Sequence, residues 1–207
     1  AVSAYVAAVT ERIRIGLAVV NLPFYSPLVL AKALTSIDVL SDGRLDVGLG
    51  LGWSADEFRA AGAALEQRGA RAAEFVQALR AVWGEDPVEH SGTYYEVPRS
   101  IVQPKPVQQP GPPVLLGGTA EVALRRAGRI ADGWISSSRF ELDKMPWAIE
   151  TLRAARAEVG RTMDDFRVVM RGVVRVRAED CERAFTGTVE KVRRDLDTYA
   201  SYGVTEL

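Results

Sequence analysis

Gly117-Gly118-Thr119 is the stretch whose residue types and spacing offer the most chemistry. It lies between a wholly apolar run, Val114-Leu115-Leu116, and a segment from Ala120 to Ile130 with helical periodicity. The apolar run suits a strand buried on both faces, as in a parallel sheet covered by helices. Thr119 has the side chain of a helix N-cap, and the periodicity places Val122, Ala123, Ala127 and Ile130 on one face, with Arg125, Arg126 and Arg129 elsewhere. A strand, a two-glycine turn and a helix start leave N–H groups exposed at the positive end of the helix dipole. Glycines let an anion approach the backbone, so Gly117, Gly118 and Thr119 form a candidate phosphate cradle. The competing reading is a space-saving turn with a cap.

A second stretch, Arg44 to Trp53, reads RLDVGLGLGW. As a strand it puts Val47, Leu49 and Leu51 on one face and Gly48, Gly50 and Gly52 on the other. The spacing is one residue short of a dinucleotide fingerprint, and the glycines lie within the strand, so that reading is rejected. With Gly16 and Ala18 from the preceding strand, the glycines make a strip of small residues beside which a flat ring has room. Alternatively, they interdigitate with large residues of neighbouring strands.

Other chemical groups carry less. Ser136-Ser137-Ser138 follows a short strand, Gly133-Trp134-Ile135, and either binds a ligand or turns the chain. Arg167, Arg171 and Arg175 recur along a segment read as a strand from Phe166 to Val176, and either meet an anionic substrate or form salt bridges at a rim. His90, the only histidine, falls in a hairpin and reads as solvated rather than as a base. One cysteine, Cys181, and one histidine exclude an intramolecular disulfide and a Cys/His metal cluster. No metal is expected.

The elements that must position these groups follow a βα order. Arg12 to Val20 alternates as a strand, with Ile13, Ile15 and Leu17 on one side and Arg14, Gly16 and Ala18 on the other. Ser26-Pro27 opens a helix that runs to the Ser41-Asp42-Gly43 stop. Ser54 caps a short helix, a longer one spans Arg68 to Trp83, another runs from Asp143 to Val159 with Pro146 in its first turn, and a last one from Thr186 to Tyr202 ends at Gly203. Val204 begins a further strand. Pro87 to Pro113, rich in proline and glutamine with a hairpin around Ser91-Gly92, reads as an excursion rather than an interdomain linker.

At 207 residues and 47% hydrophobic side chains, the chain suffices for one globular domain. Twenty-six basic and 27 acidic residues leave a net charge of −1, which points away from nucleic acid and anionic membrane surfaces. No apolar run approaches the ~20 residues of a membrane span. A reducing cytoplasm and a small-molecule partner fit best. The chain opens without Met inside an apparent helix, Ala1 to Val9, and stops at Leu207 in an apparent strand, so a fragment is expected. Six strands in parallel order are about two units short of a (β/α)8 barrel of roughly 250 residues.

TERIRIG (Thr10 to Gly16), SPLVLAKALTSIDVLSDGRLDVGLGLGW (Ser26 to Trp53), the Arg68-Gly69 helix entry, QPKPVQQPGPPVLLGG (Gln103 to Gly118), ADGW (Ala131 to Trp134) and FTGTVEKVRRDL (Phe185 to Leu196) together resemble the bacterial luciferase-like superfamily, in the flavour of its F420-dependent branch. The resemblance covers nearly the whole chain. It implies an α/β fold, a (β/α)8 TIM barrel, of which residues 1–207 hold strands three to eight as one domain. The Pro87–Pro113 excursion then lies between the fourth helix and the fifth strand. It implies a non-proline cis peptide at Ala18-Val19 on the third strand, a cofactor ring near Ala18, Val19, Gly50 and Gly52, and its phosphate on Gly117, Gly118 and Thr119. Coenzyme F420 and hydride transfer to an organic substrate are the implied chemistry. FMN with oxygen-dependent monooxygenation, or flavin binding without turnover, are the alternatives, and an enzyme of phosphorylated metabolites is compatible with the cradle alone. A homodimer is also implied. Residues near the reactive ring carbon belong to the family's first two strands, so no catalytic base is named.

Overall fold

The computed structural model describes residues 2–207, so the first residue of the expected opening helix, Ala1, lies outside the described residues. Two compact units divide the chain, the first ending at Val114 and the second running from Leu115 to Leu207.

In the first unit, α1 (Val2–Val9) leads into β1 (Ile15–Asn21), and a single 3-10 turn at Leu22–Phe24 leads to α2 (Pro27–Leu40). β2 (Leu45–Gly50) lies parallel to β1, and α3 (Ala55–Ala60) and α4 (Arg68–Trp83) follow. Every residue of β2 is buried, which explains why its sequence is apolar or glycine apart from Asp46. Asp46 is compensated by an ion pair with Arg14. Serine at position 54 caps α3 as expected, its hydroxyl accepting the Glu57 N–H. β1 starts three residues later than the alternation suggested, and Ile13 is exposed.

Arg44 closes the turn between α2 and β2 with five hydrogen bonds. Its guanidinium donates to the carbonyl oxygens of Ala7, Thr10, Ile13 and Ser41 and to the Thr10 hydroxyl. Carbonyls at the end of α1 that lack helical partners are thereby satisfied. The excursion contains the expected hairpin, β3 (Val88–Ser91) antiparallel to β4 (Glu96–Ser100). Its turn is fastened to α4 by Glu74, whose carboxylate accepts the N–H groups of Thr93, Tyr94 and Tyr95 at 3.0, 2.7 and 2.7 Å. Farther along, the fully buried Asp38 accepts both the backbone and the side-chain amide of Gln108, which ties the return of the excursion to α2.

The second unit holds all of β5 (Val114–Gly117) but its first residue, β6 (Gly133–Ile135) and β7 (Arg167–Val169), parallel and in that spatial order. α5 (Glu121–Ile130) and α6 (Met145–Ala157) are the crossovers, as right-handed βαβ units require a helix between parallel strands. α5 buries Leu124, Ala127 and Gly128 and leaves Val122 exposed, so the inward face is rotated from the expected one. Gly128 lies close against α6: a Cβ there would stand 2.8 Å from the Leu152 carbonyl oxygen.

The expected strand from Phe166 to Val176 is interrupted. After β7 the chain leaves the sheet, and Arg175–Val176 forms a separate two-residue pairing, β8, with β9 (Thr186–Gly187). The last helix, α7 (Val189–Tyr202), therefore starts three residues later than expected, capped by the Thr188 hydroxyl and ended by Gly203 at φ +111°. Beyond it, Glu206 makes a parallel bridge to Val169, the beginning of the strand anticipated from Val204. Parallel strands with helical crossovers make the α/β class plain, and no closed barrel forms among the described residues.

Candidate functional site

The first unit contributes a bulge. Leu17 pairs with Val47 and Val20 with Leu49, so two residues of β1, Ala18 and Val19, stand opposite the single residue Gly48. The Ala18–Val19 peptide is cis, as the resemblance implied. The glycine strip is filled by this bulge. A Cβ on Gly48 would lie 1.9 Å from the Leu17 carbonyl oxygen, and one on Gly50 would lie 2.6 Å from the Val19 side chain. Gly52, at φ +70°, faces the Phe58 ring. The expected room for a ring beside Gly48 and Gly50 is thus taken by Val19 and the displaced β1 backbone, and the packing alternative describes these two glycines. Gly16, by contrast, has open space where a side chain would be.

The second unit contributes the candidate cradle. β5 ends at Gly117, and Gly118 turns the chain at φ +133°, a conformation in which a Cβ would also stand 2.5 Å from that of Ala123. α5 begins at Glu121 with Ala120, not Thr119, as its N-cap, and no side chain caps it. That shift has a chemical result. The N–H groups of Thr119, Ala120, Glu121 and Val122 meet no acceptor among the described residues, whereas Ala123 and Leu124 both bond to the Ala120 carbonyl. Four free amides at a helix N-terminus, approached over a glycine, are a donor set for a phosphate.

The turn itself is held from β6. Trp134, fully buried, donates its indole N–H to the Gly118 carbonyl oxygen at 2.8 Å. Phe140 meets the Trp134 ring edge-on, with centroids 5.4 Å apart. Phe140 is also a wall of a cavity of about 430 Å³ lined by Thr119, Arg139, Phe140, Glu141, Lys144 and Trp147. Lys144 is paired with Glu141 at 2.7 Å, and this bond, with the charge of Glu141, holds the lysine above its ordinary range and so cationic at neutral pH. The candidate cradle therefore opens on a cavity with Arg139, the Lys144–Glu141 ion pair and two aromatic walls.

The remaining candidates separate from this site. Ser136 is buried, and its hydroxyl accepts the Arg171 N–H, so it anchors the chain after β7. Ser137 accepts the Arg139 N–H in a local turn. Arg167 pairs with Glu206 at 2.5 Å, the rim role anticipated for it, while Arg175 buries one guanidinium nitrogen without an acceptor among the described residues. His90 is not solvated as expected. Its ring is largely buried, with Nε2 3.8 Å from Glu74. Cys181 is exposed. Among the described residues no group of His, Cys, Asp or Glu could hold a metal ion, and no helix is long and apolar enough to cross a membrane.

Arg139, Phe140, Lys144 and Trp147 were missed from the sequence. Their only signal is position, in the loop and helix start that follow a strand's C-terminal end, where ligands of α/β sheets bind.

Similarity to known proteins agrees with this geometry. The family described as luciferase-like monooxygenase matches residues 1–202. An FMNH2-dependent dimethylsulfone monooxygenase of Pseudomonas putida is 31% identical over 159 residues, 75% of this chain and 43% of its own length. An F420-dependent glucose-6-phosphate dehydrogenase of Amycolatopsis mediterranei is 30% identical over 197 residues, 93% of this chain and 51% of its own. Among solved structures, monooxygenase RslO1 from Streptomyces bottropensis superposes with a TM-score of 0.73 at 28% identity, covering 96% of this chain and 62% of that one. The chain spans about half the length of the curated relatives it matches.

Proposed function

The chain belongs to the luciferase-like monooxygenase family, and from that premise we propose that it serves an oxidoreductase that exchanges a hydride between coenzyme F420 and a small organic substrate. The observation that carries the proposal is the cradle of free amides at Thr119–Val122 opening on a cavity with Arg139 and Lys144. A single phosphate would be served by the cradle alone. Arg139, with Lys144 beside its Glu141 partner, suits a cofactor that continues beyond its phosphate with more negative charge, as F420 does and FMN does not.

In this reading the amides of residues 119–122 hold the phosphate, and Gly118 contributes by having no side chain in its path. Arg139 and Lys144 hold the anionic extension, and Phe140 and Trp147 give the cavity its apolar walls. Bound there, the deazaflavin would supply hydride exchange at a ring position that reacts poorly with oxygen. On the family resemblance, Ala18, Val19 and Gly52 are proposed as ring contacts, with Gly50 acting through Val19, which covers it, and a cytoplasmic homodimer as the working form.

The second reading, an FMN-dependent monooxygenase, is favoured by the 31% identity to the FMNH2-dependent relative. Calorimetric titration with F420 and with FMN separates the two, with Thr119→Asp as the control. Thr119 is exposed, so the added charge repels phosphate without disturbing packing. Gly118 is unsuitable for this purpose because any side chain there meets Ala123. The proposal expects F420 to bind more tightly than FMN and Thr119→Asp to lose most of that affinity. Preference for FMN transfers the assignment to the monooxygenase reading, and binding of neither defeats both.

A further inference from the structure

Gly118 carries the turn that aims the cradle, and its conformation has one anchor outside its own loop. The carbonyl oxygen of Gly118 points toward β6, where it accepts the indole N–H of Trp134 at 2.8 Å. The strand register explains why the indole arrives there: Leu116 pairs with Trp134, so the Trp134 side chain starts two residues before the glycine and reaches along the sheet to its end. A peptide unit has two faces, and fixing a carbonyl fixes the N–H on its other side. The carbonyl of Gly118 belongs to the same peptide as the Thr119 N–H, the first of the four free amides.

We infer that Trp134 is a positioning residue for phosphate recognition: its indole N–H locks the Gly118–Thr119 peptide so that the Thr119 amide faces the ligand. This rests on the reading of residues 117–119 as the phosphate cradle. Trp134 is fully buried and Phe140 meets its ring edge-on, so the donor is shielded from water, while the Gly118 end of the bond is half-buried. Without it, the peptide is free to rotate toward an arrangement in which a carbonyl oxygen, not an N–H, meets the phosphate. Glycine, with no Cβ to resist, makes that rotation easy. The bulk of the tryptophan packs the core; only its nitrogen instructs the cradle.

The test compares ligands that differ in phosphate alone. Binding of FMN against riboflavin, and of F420 against its phosphate-free deazariboflavin core, is measured by calorimetry on the intact protein and on Trp134→Phe. A second variant replaces Trp134 with 3-benzothienylalanine, which keeps the shape and puts sulfur where the N–H stands. This variant decides the matter if Trp134→Phe does not fold. The expected result is a preference for the phosphorylated ligand in the wild type that falls about tenfold in either variant, the scale of one hydrogen bond, while affinity for the phosphate-free ligand is unchanged. The amide resonance of Thr119 in the ligand-free protein should also move in both variants.

Three outcomes overturn the inference. Equal loss of affinity for both ligands of a pair means that Trp134 acts only through packing. An undiminished phosphate preference in the sulfur variant means that the indole N–H does not matter, although the cradle stands. A wild type with no preference for phosphate removes the cradle itself, and this inference with it.

Discussion

Gly48 faces the carbonyl oxygen of Leu17 so closely that a methyl group on it would lie 1.9 Å away. The contact exists because β1 carries one more residue than β2 at this level, and the surplus backbone leans over its neighbour. Gly48→Ala therefore cannot be accommodated by a rotamer change, since backbone would have to move. Its cost should reach or exceed the upper end of the ~1–3 kcal/mol typical of overpacking. Denaturant unfolding would show this as a lower midpoint, and a fully stable Gly48→Ala protein would mean that the bulge is not rigid.

Arg44 should be irreplaceable by lysine. Five hydrogen bonds radiate from its fork to residues 7–13 and 41, and an ammonium cannot reproduce that geometry. Arg44→Lys is expected to cost about 2 kcal/mol, with the loss concentrated in α1. Hydrogen exchange should accelerate across Val2–Val9 while the amides of α4 are unaffected. Uniform acceleration would contradict the local role.

The hairpin should loosen in acid. Burial acts to raise the Glu74 carboxyl, but the N–H bonds from Tyr94, Tyr95 and Thr93, with His90 beside them, outweigh it and leave the group below its ordinary range. A carboxylate lowered on folding stabilises fully above its unfolded value, and that stabilisation is lost as pH falls through the folded value. The difference in stability between wild type and Glu74→Gln should be constant near neutrality and shrink below about pH 4.5, the ordinary glutamate value. A difference that stays constant down to pH 3 would assign the tether to shape rather than charge.

Gly128→Ala sets two effects against each other. Alanine in a helix interior gains about 1 kcal/mol over glycine. Here, however, the new methyl meets the Leu152 carbonyl oxygen at 2.8 Å and the Ala155 methyl at 2.9 Å. Separating α5 from α6 should cost more than the propensity returns. Net destabilisation of about 1 kcal/mol is the expected outcome of thermal unfolding, and a stabilised variant would show that the helices part easily.

The cations of the cavity should separate the two cofactors. Lys144→Gln, or Arg139→Gln, is expected to weaken F420 several-fold more than FMN, and added salt should erase much of the difference because both side chains are exposed. Equal weakening of both cofactors would place the cations on the phosphate they share.

Elements governed by local chemistry were legible in the sequence. α4 spans Arg68 to Trp83 as its apolar spacing demanded, Ser54 caps α3, and Gly203 ends α7 at positive φ. What escaped was decided by partners distant in sequence. Thr119 looked like a cap, but the turn at Gly118 moves the start of α5 to Glu121. Val122 fitted the apolar stripe, yet α6 is reached through Gly128, which turns Leu124 inward. In the sequence the glycine strip is a strip of equals. In three dimensions Gly48 yields to a backbone, Gly50 to Val19, and Gly16 to nothing. The turn at Gly117-Gly118 was legible because glycines announce it, and its use as a phosphate cradle is a proposal. The cavity beside it was not legible, because Arg139 and Lys144 become neighbours of Thr119 only through the order of β5 and β6.

Trp134 and Trp147 are two of the four tryptophans in the chain, one bonded to the cradle and the other in the cavity wall. Of the others, Trp83 is buried in the first unit and Trp53 stands in solvent. The protein thus carries its own optical reporters at the proposed ligand site. Ultraviolet emission from the two is expected to change when that corner is filled, coloured occupant or not, so that colourless phosphates and substrate fragments can be screened without labelling. Silencing Trp53 by mutation removes most of the solvent-exposed background and costs no packing.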